Sequence, residues 1–242
     1  MHRSDEYQAG RGPHARGSER LETFVDAAFA FALTLLVISF DAIPGSYAEL
    51  VAALRNTPAF IASFAIIVML WIGHHAWSRR YGLDDVPSLL LSLALVLIVM
   101  IYVYPLRAMM GATLSLMTGG AVPANFELRS LDEVRGLFTI YGIGFAGAVG
   151  CIALLYAHAL RRGRRAGWPP HVLADVLAGA AVWGLVAATG VLSVAIARLA
   201  PDSLVPLAGW VYCLLAVAAP LAGFLFGRRA ERLKAESAPA PD

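Results

Sequence analysis

The sequence predicts an all-α polytopic membrane protein with six transmembrane helices and both termini in the cytoplasm. Hydrophobic residues make up 59% of the 242 residues and charged residues only 15%, and the mean hydropathy is +0.67. A soluble domain of this length would carry more charge. The apolar runs are continuous rather than alternating, and a helix satisfies its own backbone hydrogen bonds in lipid, so the spans are expected to be helical.

Six apolar runs reach the roughly 20 residues that a helix needs to cross a membrane. The predicted spans are 22–42, 57–77, 86–109, 134–160, 172–199 and 204–227. The residues before the first span contain too many acids and glycines for a typical signal peptide. We therefore divide the chain into a flexible cytoplasmic tail, a six-helix membrane domain and a C-terminal cytoplasmic tail, over residues 1–19, 20–230 and 231–242.

Lysine and arginine are distributed unevenly between the two sides of this arrangement. With the N-terminus inside, the outer segments hold only Arg55, Arg107, Arg129, Arg135 and Arg198, out of 19 basic residues. Because loops rich in lysine and arginine stay in the cytoplasm, both termini are predicted to lie there. The run RRGRR at 161–165 is the strongest anchor, since its four cations are costly to move across a membrane.

Several classes of function find no support in the sequence. The basic residues cluster beside apolar runs, which indicates lipid headgroups rather than nucleic acid. No catalytic triad, phosphate-binding loop or cofactor motif is recognisable, so we predict neither an enzyme nor a cofactor. Cys151 and Cys213 lie inside apolar runs and predict no disulfide. His74 and His75 are adjacent and do not share a helix face, and no third ligand has suitable spacing, so no metal site is predicted.

The first span carries a carboxylate, Asp26, near its cytoplasmic end. An ionised carboxylate within a span is costly unless it is paired. Arg20 could supply that pairing, and so could Trp71 or His74 if the first two spans pack together. We interpret Asp26 as a structural latch rather than a pore ligand. The alternative is that Asp26 merely lies at the depth of the lipid headgroups.

Another face of the first span is free of this carboxylate. Positions 27, 31, 34, 38 and 41 recur at helical spacing and fall on one stripe. They are Ala27, Phe31, Thr34, Ile38 and Asp41, with Leu35 beside them. Phe29 lies about 160° around the helix from Phe31 and belongs to the opposite face. In the fourth span, Gly142, Ala146 and Gly150 form a stripe of small residues suited to close helix contact.

The first three spans share a set of landmarks with a known family. They are Arg20, Phe24 and Asp26 before an apolar run containing threonine, then Trp71 and His74, then Tyr104-Pro105 at the end of a leucine-rich third span. This pattern resembles the transmembrane protein 175 family of potassium channels, whose first helix carries the signature R-x-x-x-F-S-D. The resemblance is specific over about the first 110 residues, and beyond them only the six-span plan agrees.

The resemblance implies a potassium-permeable channel of a prokaryotic inner membrane, assembled as a homotetramer with a pore lined by the first helices. In that family apolar side chains narrow the pore, and this chain has no carbonyl filter motif of the TVGYG type. By position, the constriction is formed by Phe31, Thr34, Leu35 and Ile38, with Asp41 at the pore mouth. The structural network at the cytoplasmic side comprises Arg20, Phe24, Asp26, Trp71 and His74. Potassium ions and membrane lipids are the implied partners.

Some positions depart from the family pattern. Val25 stands where the family has serine, Ala27 at a common glycine, Ser39 at a common acidic residue and Ser92 at an asparagine of the third span. Phe31 is bulkier than the usual isoleucine or leucine. Two other functions are the alternatives, a proton-coupled carrier or a nonconducting membrane scaffold. A carrier would normally show inverted repeats or broken helices at matching positions, and the sequence shows neither.

Overall fold

The structure, a computed structural model, describes residues 13–38, 45–124 and 126–215, with side chains described from residue 20 and not for residue 38. Within these ranges the secondary structure is entirely helical. The helices are α1 (Pro13–Ile38), α2 (Tyr47–Arg55), α3 (Thr57–Tyr81), α4 (Val86–Met117), α5 (Leu131–Arg165), α6 (Pro170–Leu199) and α7 (Leu207–Cys213), with a short 3₁₀ helix (Asp202–Leu204) before α7.

Four of the described helices are long and apolar enough to cross a membrane. They are α3, α4, α5 and α6, with 25, 32, 35 and 30 residues, and they contain the second to fifth predicted spans. Helix α1 contains the first predicted span as far as residue 38 and begins at Pro13, about two turns inside the predicted tail. The remainder of the first span, the second half of the sixth span, residues 1–12 and the C-terminal tail lie outside the described residues.

Local sequence signals fix where several helices begin and end. The side chains of Ser46, Asp85 and Ser130 accept hydrogen bonds from backbone N–H groups in the first turns of α2, α4 and α5. Such caps satisfy donors that the helix itself leaves free. Helix α3 ends at Tyr81 and is capped by Gly82, which has a left-handed conformation with φ of 40°. Glycine adopts that conformation without steric cost, so the chain can reverse toward α4.

The largest interface in the described bundle joins α5 to α6. It is built on small residues, because a Cβ added at Gly190 would lie 3.0 Å from the Cβ of Ala146 and 3.1 Å from the carbonyl oxygen of Gly142. The predicted stripe is therefore used at Gly142 and Ala146. Gly150 is different, since a Cβ added there meets nothing within 4 Å. Helix α4 packs on α5, and α1 packs on α3 and α4.

Candidate pore helix and polar network

Helix α1 has one buried face and one exposed face. Against α3 and α4 it buries Val25, Phe29, Ala32 and Leu36. Phe31 is 51% exposed whereas Phe29 is 2% exposed, so the two phenylalanines lie on opposite faces, as the helical period predicts. The buried face fixes the rotation of α1 on the bundle. The other face is left uncovered in a single chain.

The predicted pore stripe falls on this uncovered face as far as the structure describes it. Ala27, Phe31 and Thr34 are exposed, and Leu35 at the edge of the stripe is half-buried. The Thr34 hydroxyl donates a hydrogen bond to the carbonyl oxygen of Ala30 at 3.0 Å, so the lone pairs of its oxygen are left for other partners. The side chain of Ile38 and the whole of Asp41 lie outside the described residues.

Asp26 joins α1 to α3 through the indole of Trp71. The Trp71 Nε1–H group donates to Asp26 Oδ1 at 2.8 Å in a half-buried environment. A hydrogen bond to an ionised carboxylate is about twice as strong as a neutral one. This contact has the geometry expected of a latch between the first two spans.

His74, a second predicted member of the network, has a different partner. It is 1% exposed, and its Nε2 lies 2.9 Å from the Oγ of Ser92 on α4. Ser92 occupies a position where the family pattern has asparagine, so a polar contact between α3 and α4 is made here by serine. His74 therefore links α3 to α4, while Trp71 links α3 to α1.

Arg20 and Phe24 lie apart from these contacts. Both are exposed, and among the described residues no ion pair joins Arg20 to Asp26. The reason is geometric, since residues six apart on a helix point in different directions. The two side chains line a groove between the start of α1 and the start of α4, which is otherwise lined by Leu21, Leu83, Asp84, Asp85, Val86, Leu89 and Leu93.

Glu22, which was not among the predicted network residues, extends the contact between α1 and α3. The Ser78 hydroxyl donates to Glu22 Oε2 at 3.3 Å, and His75 Nδ1 lies 3.2 Å from Glu22 Oε1. The His75 ring stacks on Trp71 with centroids 5.1 Å apart. The sequence signal for this contact was a pair of matching helical spacings. Glu22 and Asp26 are four residues apart on α1, and Trp71 and His75 are four residues apart on α3.

A separate polar contact joins the start of α4 to α5. His158 Nε2 lies 2.7 Å from Asp85 Oδ2, and Arg162 Nε lies 3.6 Å from the same oxygen. The other oxygen of Asp85 accepts the backbone N–H of Ser88 at 3.1 Å. Burial acts to raise the pKa of Asp85, but hydrogen bonds from His158 and Ser88 outweigh it and hold that pKa below its usual value.

Comparison with known proteins identifies the first half of the bundle most specifically. Residues 20–105 match the family described as endosomal/lysosomal potassium channel TMEM175. A curated potassium channel from Marivirga tractuosa is 33% identical over 148 residues. That alignment spans 59% of this chain and 59% of the relative.

Solved structures extend the likeness over most of the chain. A crystal structure of a variant of the potassium channel MtTMEM175, in complex with a nanobody–MBP fusion protein, is 27% identical with a TM-score of 0.73, covering 88% of this chain and 93% of that one. A TMEM175 homologue from Chamaesiphon minutus, described as a lysosomal potassium-selective channel, is 20% identical and shares the fold, with a TM-score of 0.55 and coverage of 88% and 97%. The chain is thus a multi-pass membrane protein whose first half matches the transmembrane protein 175 family of potassium channels and whose fold is similar to that of MtTMEM175.

Proposed function

We propose that this protein is a potassium-permeable cation channel whose pore is lined by α1 helices from several copies of the chain. The uncovered face of α1 is the observation that carries the proposal. It presents Ala27, Phe31 and Thr34 although the opposite face is firmly buried. The ion is inferred from the Marivirga tractuosa protein and MtTMEM175, which are both potassium channels.

A single α1 cannot enclose a path for ions. Closed rotational symmetry gives each copy the same environment and brings the same stripe to one axis. We propose a homotetramer, in which four α1 helices surround that axis. Exposed α1 residues then face either the pore or the neighbouring copy, which removes them from lipid.

The stripe itself predicts how the path is narrowed. Phe31 is the largest side chain on it, and four rings at one height would fill a small pore and make a bare gap unfavourable to water. Thr34 follows one turn further along α1. Its hydroxyl proton is held by the Ala30 carbonyl, so its oxygen can offer lone pairs to a passing cation. We assign the constriction to Phe31, Thr34, Leu35 and Ile38 and the pore mouth to Asp41.

Six spans, both termini in the cytoplasm and a prokaryotic inner membrane complete the proposal. The four cations of 161–165 lie at the end of α5, and Arg79 and Arg80 lie at the end of α3. Both helix ends would face the cytoplasm, where positive charge is favoured. Arg55, at the end of α2, would lie on the other side.

Ion flux from reconstituted liposomes tests the function directly. We expect potassium efflux that exceeds sodium efflux, with little proton movement, and a tetrameric mass in native mass spectrometry from mild detergent. Proton movement coupled to another solute would favour a carrier instead. No flux above that of empty liposomes from a verified tetramer would leave a scaffold as the better description, and a monomer would rule out a pore on a symmetry axis.

A further inference from the structure

We propose that Glu22, Asp26 and His75 form a binding site for one divalent cation of the zinc type, between the start of α1 and the end of α3. One ligand atom from each of the three side chains lies within 4.8 Å of the other two. All three residues are half-buried. The site is therefore reachable from solution yet partly shielded from it.

Each carboxylate in this cluster has one oxygen engaged and one left over. The Trp71 indole holds Asp26 Oδ1, and the Ser78 hydroxyl holds Glu22 Oε2. Hydrogen bonds of this kind orient metal-binding carboxylates and are a regular part of metal sites. Asp26 Oδ2 and Glu22 Oε1 remain as ligand atoms, on the same face of α1.

The His75 ring supplies an independent sign of a missing partner. Its Nδ1 is buried and makes no hydrogen bond, although it lies 3.2 Å from Glu22 Oε1. Stacking on Trp71, with an interplanar angle of 23°, holds the ring in this plane. A buried nitrogen that makes no well-aligned hydrogen bond is costly, and a cation between Nδ1 and the two carboxylates would satisfy it.

The donor set selects the class of ion. One imidazole nitrogen with two carboxylate oxygens suits zinc, which leaves a fourth position for water, whereas magnesium and calcium prefer oxygen ligands alone. Tetrahedral ligands about 2.1 Å from zinc lie about 3.4 Å from one another. His75 Nδ1 and Glu22 Oε1 are 3.2 Å apart, and all three ligand atoms lie within 4.8 Å of one another, so side-chain rotations would bring the third atom to that separation.

Charge also favours a cation here. Two carboxylates one helical turn apart repel each other, and among the described residues no lysine or arginine forms an ion pair with either of them. The pair His158 and Asp85 provides a contrast. Asp85 Oδ1 accepts the Ser88 N–H group, Asp85 Oδ2 contacts both His158 and Arg162, and no third metal ligand lies beside that pair among the described residues.

Zinc binding can be measured on the purified full-length protein by isothermal titration calorimetry, and it does not depend on whether the chain conducts potassium. We expect one zinc ion per chain, with Glu22→Gln and His75→Gln each weakening the affinity at least about tenfold. Ser78→Ala, which keeps every ligand but frees the Glu22 carboxylate, should weaken it less. Millimolar magnesium should not compete.

Two controls separate this site from other histidines. His158→Gln changes a histidine beside a carboxylate elsewhere, and the double change of His2 and His14 to Gln removes the histidines of the N-terminal segment. Neither should alter zinc affinity. If Glu22→Gln and His75→Gln behave like these controls, or if magnesium competes equally with zinc, the proposed site is wrong.

Zinc K-edge X-ray absorption can be measured on the wild-type protein, so this test does not depend on whether a variant folds. The expected first shell contains an imidazole nitrogen with oxygen neighbours at about 2.0–2.2 Å. A shell of oxygen atoms alone would overturn the assignment of His75.

Discussion

The two halves of the helix bundle are held together in different ways. Helices α1, α3 and α4 are joined by polar side chains, with Asp26 bound to Trp71 and His74 bound to Ser92. Helices α5 and α6 are joined by close backbone approach at glycine. The family sequence match covers the first half only, at residues 20–105, whereas the structural likeness covers 88% of the chain.

This difference shows what each half requires of its sequence. A polar contact between helices needs a donor and an acceptor at defined positions, so it leaves a recognisable set of residues. Close packing needs only a small side chain at the crossing point, and many sequences provide that. The half that carries the candidate pore helix is therefore the half that can be identified from sequence.

The largest expected effect comes from filling the crossing point of α5 and α6. A Cβ at Gly142 would lie 2.6 Å from Val194 Cγ2 and 3.1 Å from the carbonyl oxygen of Gly190, so Gly142→Val should destabilise the protein by about 3 kcal/mol. Gly150→Val is the matched control on the same helix, because the space around Gly150 is open. Thermal unfolding in detergent compares the two. Equal midpoints would show that α5 and α6 do not pack at Gly142.

Breaking the latch in the other half should have the next largest effect. Asp26→Ala leaves the Trp71 indole without its charged acceptor and should cost about 2 kcal/mol. We expect a lower yield of assembled oligomer in size-exclusion chromatography, with the preference for potassium over sodium retained in the fraction that assembles.

A double-mutant cycle with Trp71→Phe checks that the loss comes from this contact. Trp71→Phe should be costly beside Asp26 and nearly neutral in the Asp26→Ala background, because the shared hydrogen bond is then already absent. Additive effects would contradict the latch. A full yield of Asp26→Ala oligomer with an altered ion preference would instead place Asp26 in the permeation path.

Removing the contact between α3 and α4 should have a smaller effect. Ser92→Ala leaves buried His74 without its partner and should cost about 1 kcal/mol. Ser63→Ala is the control, since Ser63 is also fully buried but bonds only to Ala59 of its own helix, at 2.8 Å. Unfolding midpoints should fall for Ser92→Ala and stay nearly constant for Ser63→Ala. The same midpoint for both variants would show that the His74 contact adds no stability.

The smallest effect concerns Asp85 and is a contribution to stability that is lost in acid. Because the pKa of Asp85 lies below its usual value of 3.8 in the folded protein, its contribution is complete above that value and is lost as the pH falls through the lower, folded pKa. The wild type should therefore lose its advantage over Asp85→Asn as the pH drops from 5 toward 3. Parallel stability curves for the two proteins over that range would contradict this.

Hydropathy predicts the second to fifth spans, and helical period predicts the rotation of α1. Both depend on local pattern, which is why Phe29 and Phe31 fall on opposite faces as expected. The small share of charged residues and the length of the apolar runs also indicate a membrane protein. The short helix α2 was not predicted, because its nine residues are too few to span a membrane and its Ser46 cap is a weak signal on its own.

The hydrogen-bond partners of individual polar residues could not be predicted from local sequence pattern. The sequence left both Trp71 and His74 as possible hydrogen-bond partners of Asp26. Only the rotation of α3 against α1 and α4 shows which of the two contacts it. Glu22 was overlooked because a glutamate beside Arg20 resembles an ordinary interfacial charge. Its contacts with His75 and Ser78 depend on packing between residues more than 50 positions apart.

Potassium flux through the Phe31→Ala variant tests the pore assignment most directly. The matched control is Phe64→Ala, which makes the same change at an exposed phenylalanine of α3. Phe29→Ala is unsuitable, because Phe29 is buried and its loss would destabilise the bundle. In liposomes, Phe31→Ala should raise potassium flux and weaken discrimination against sodium, while Phe64→Ala should match the wild type. Equal flux and selectivity in all three proteins would show that the uncovered face of α1 does not line the pore.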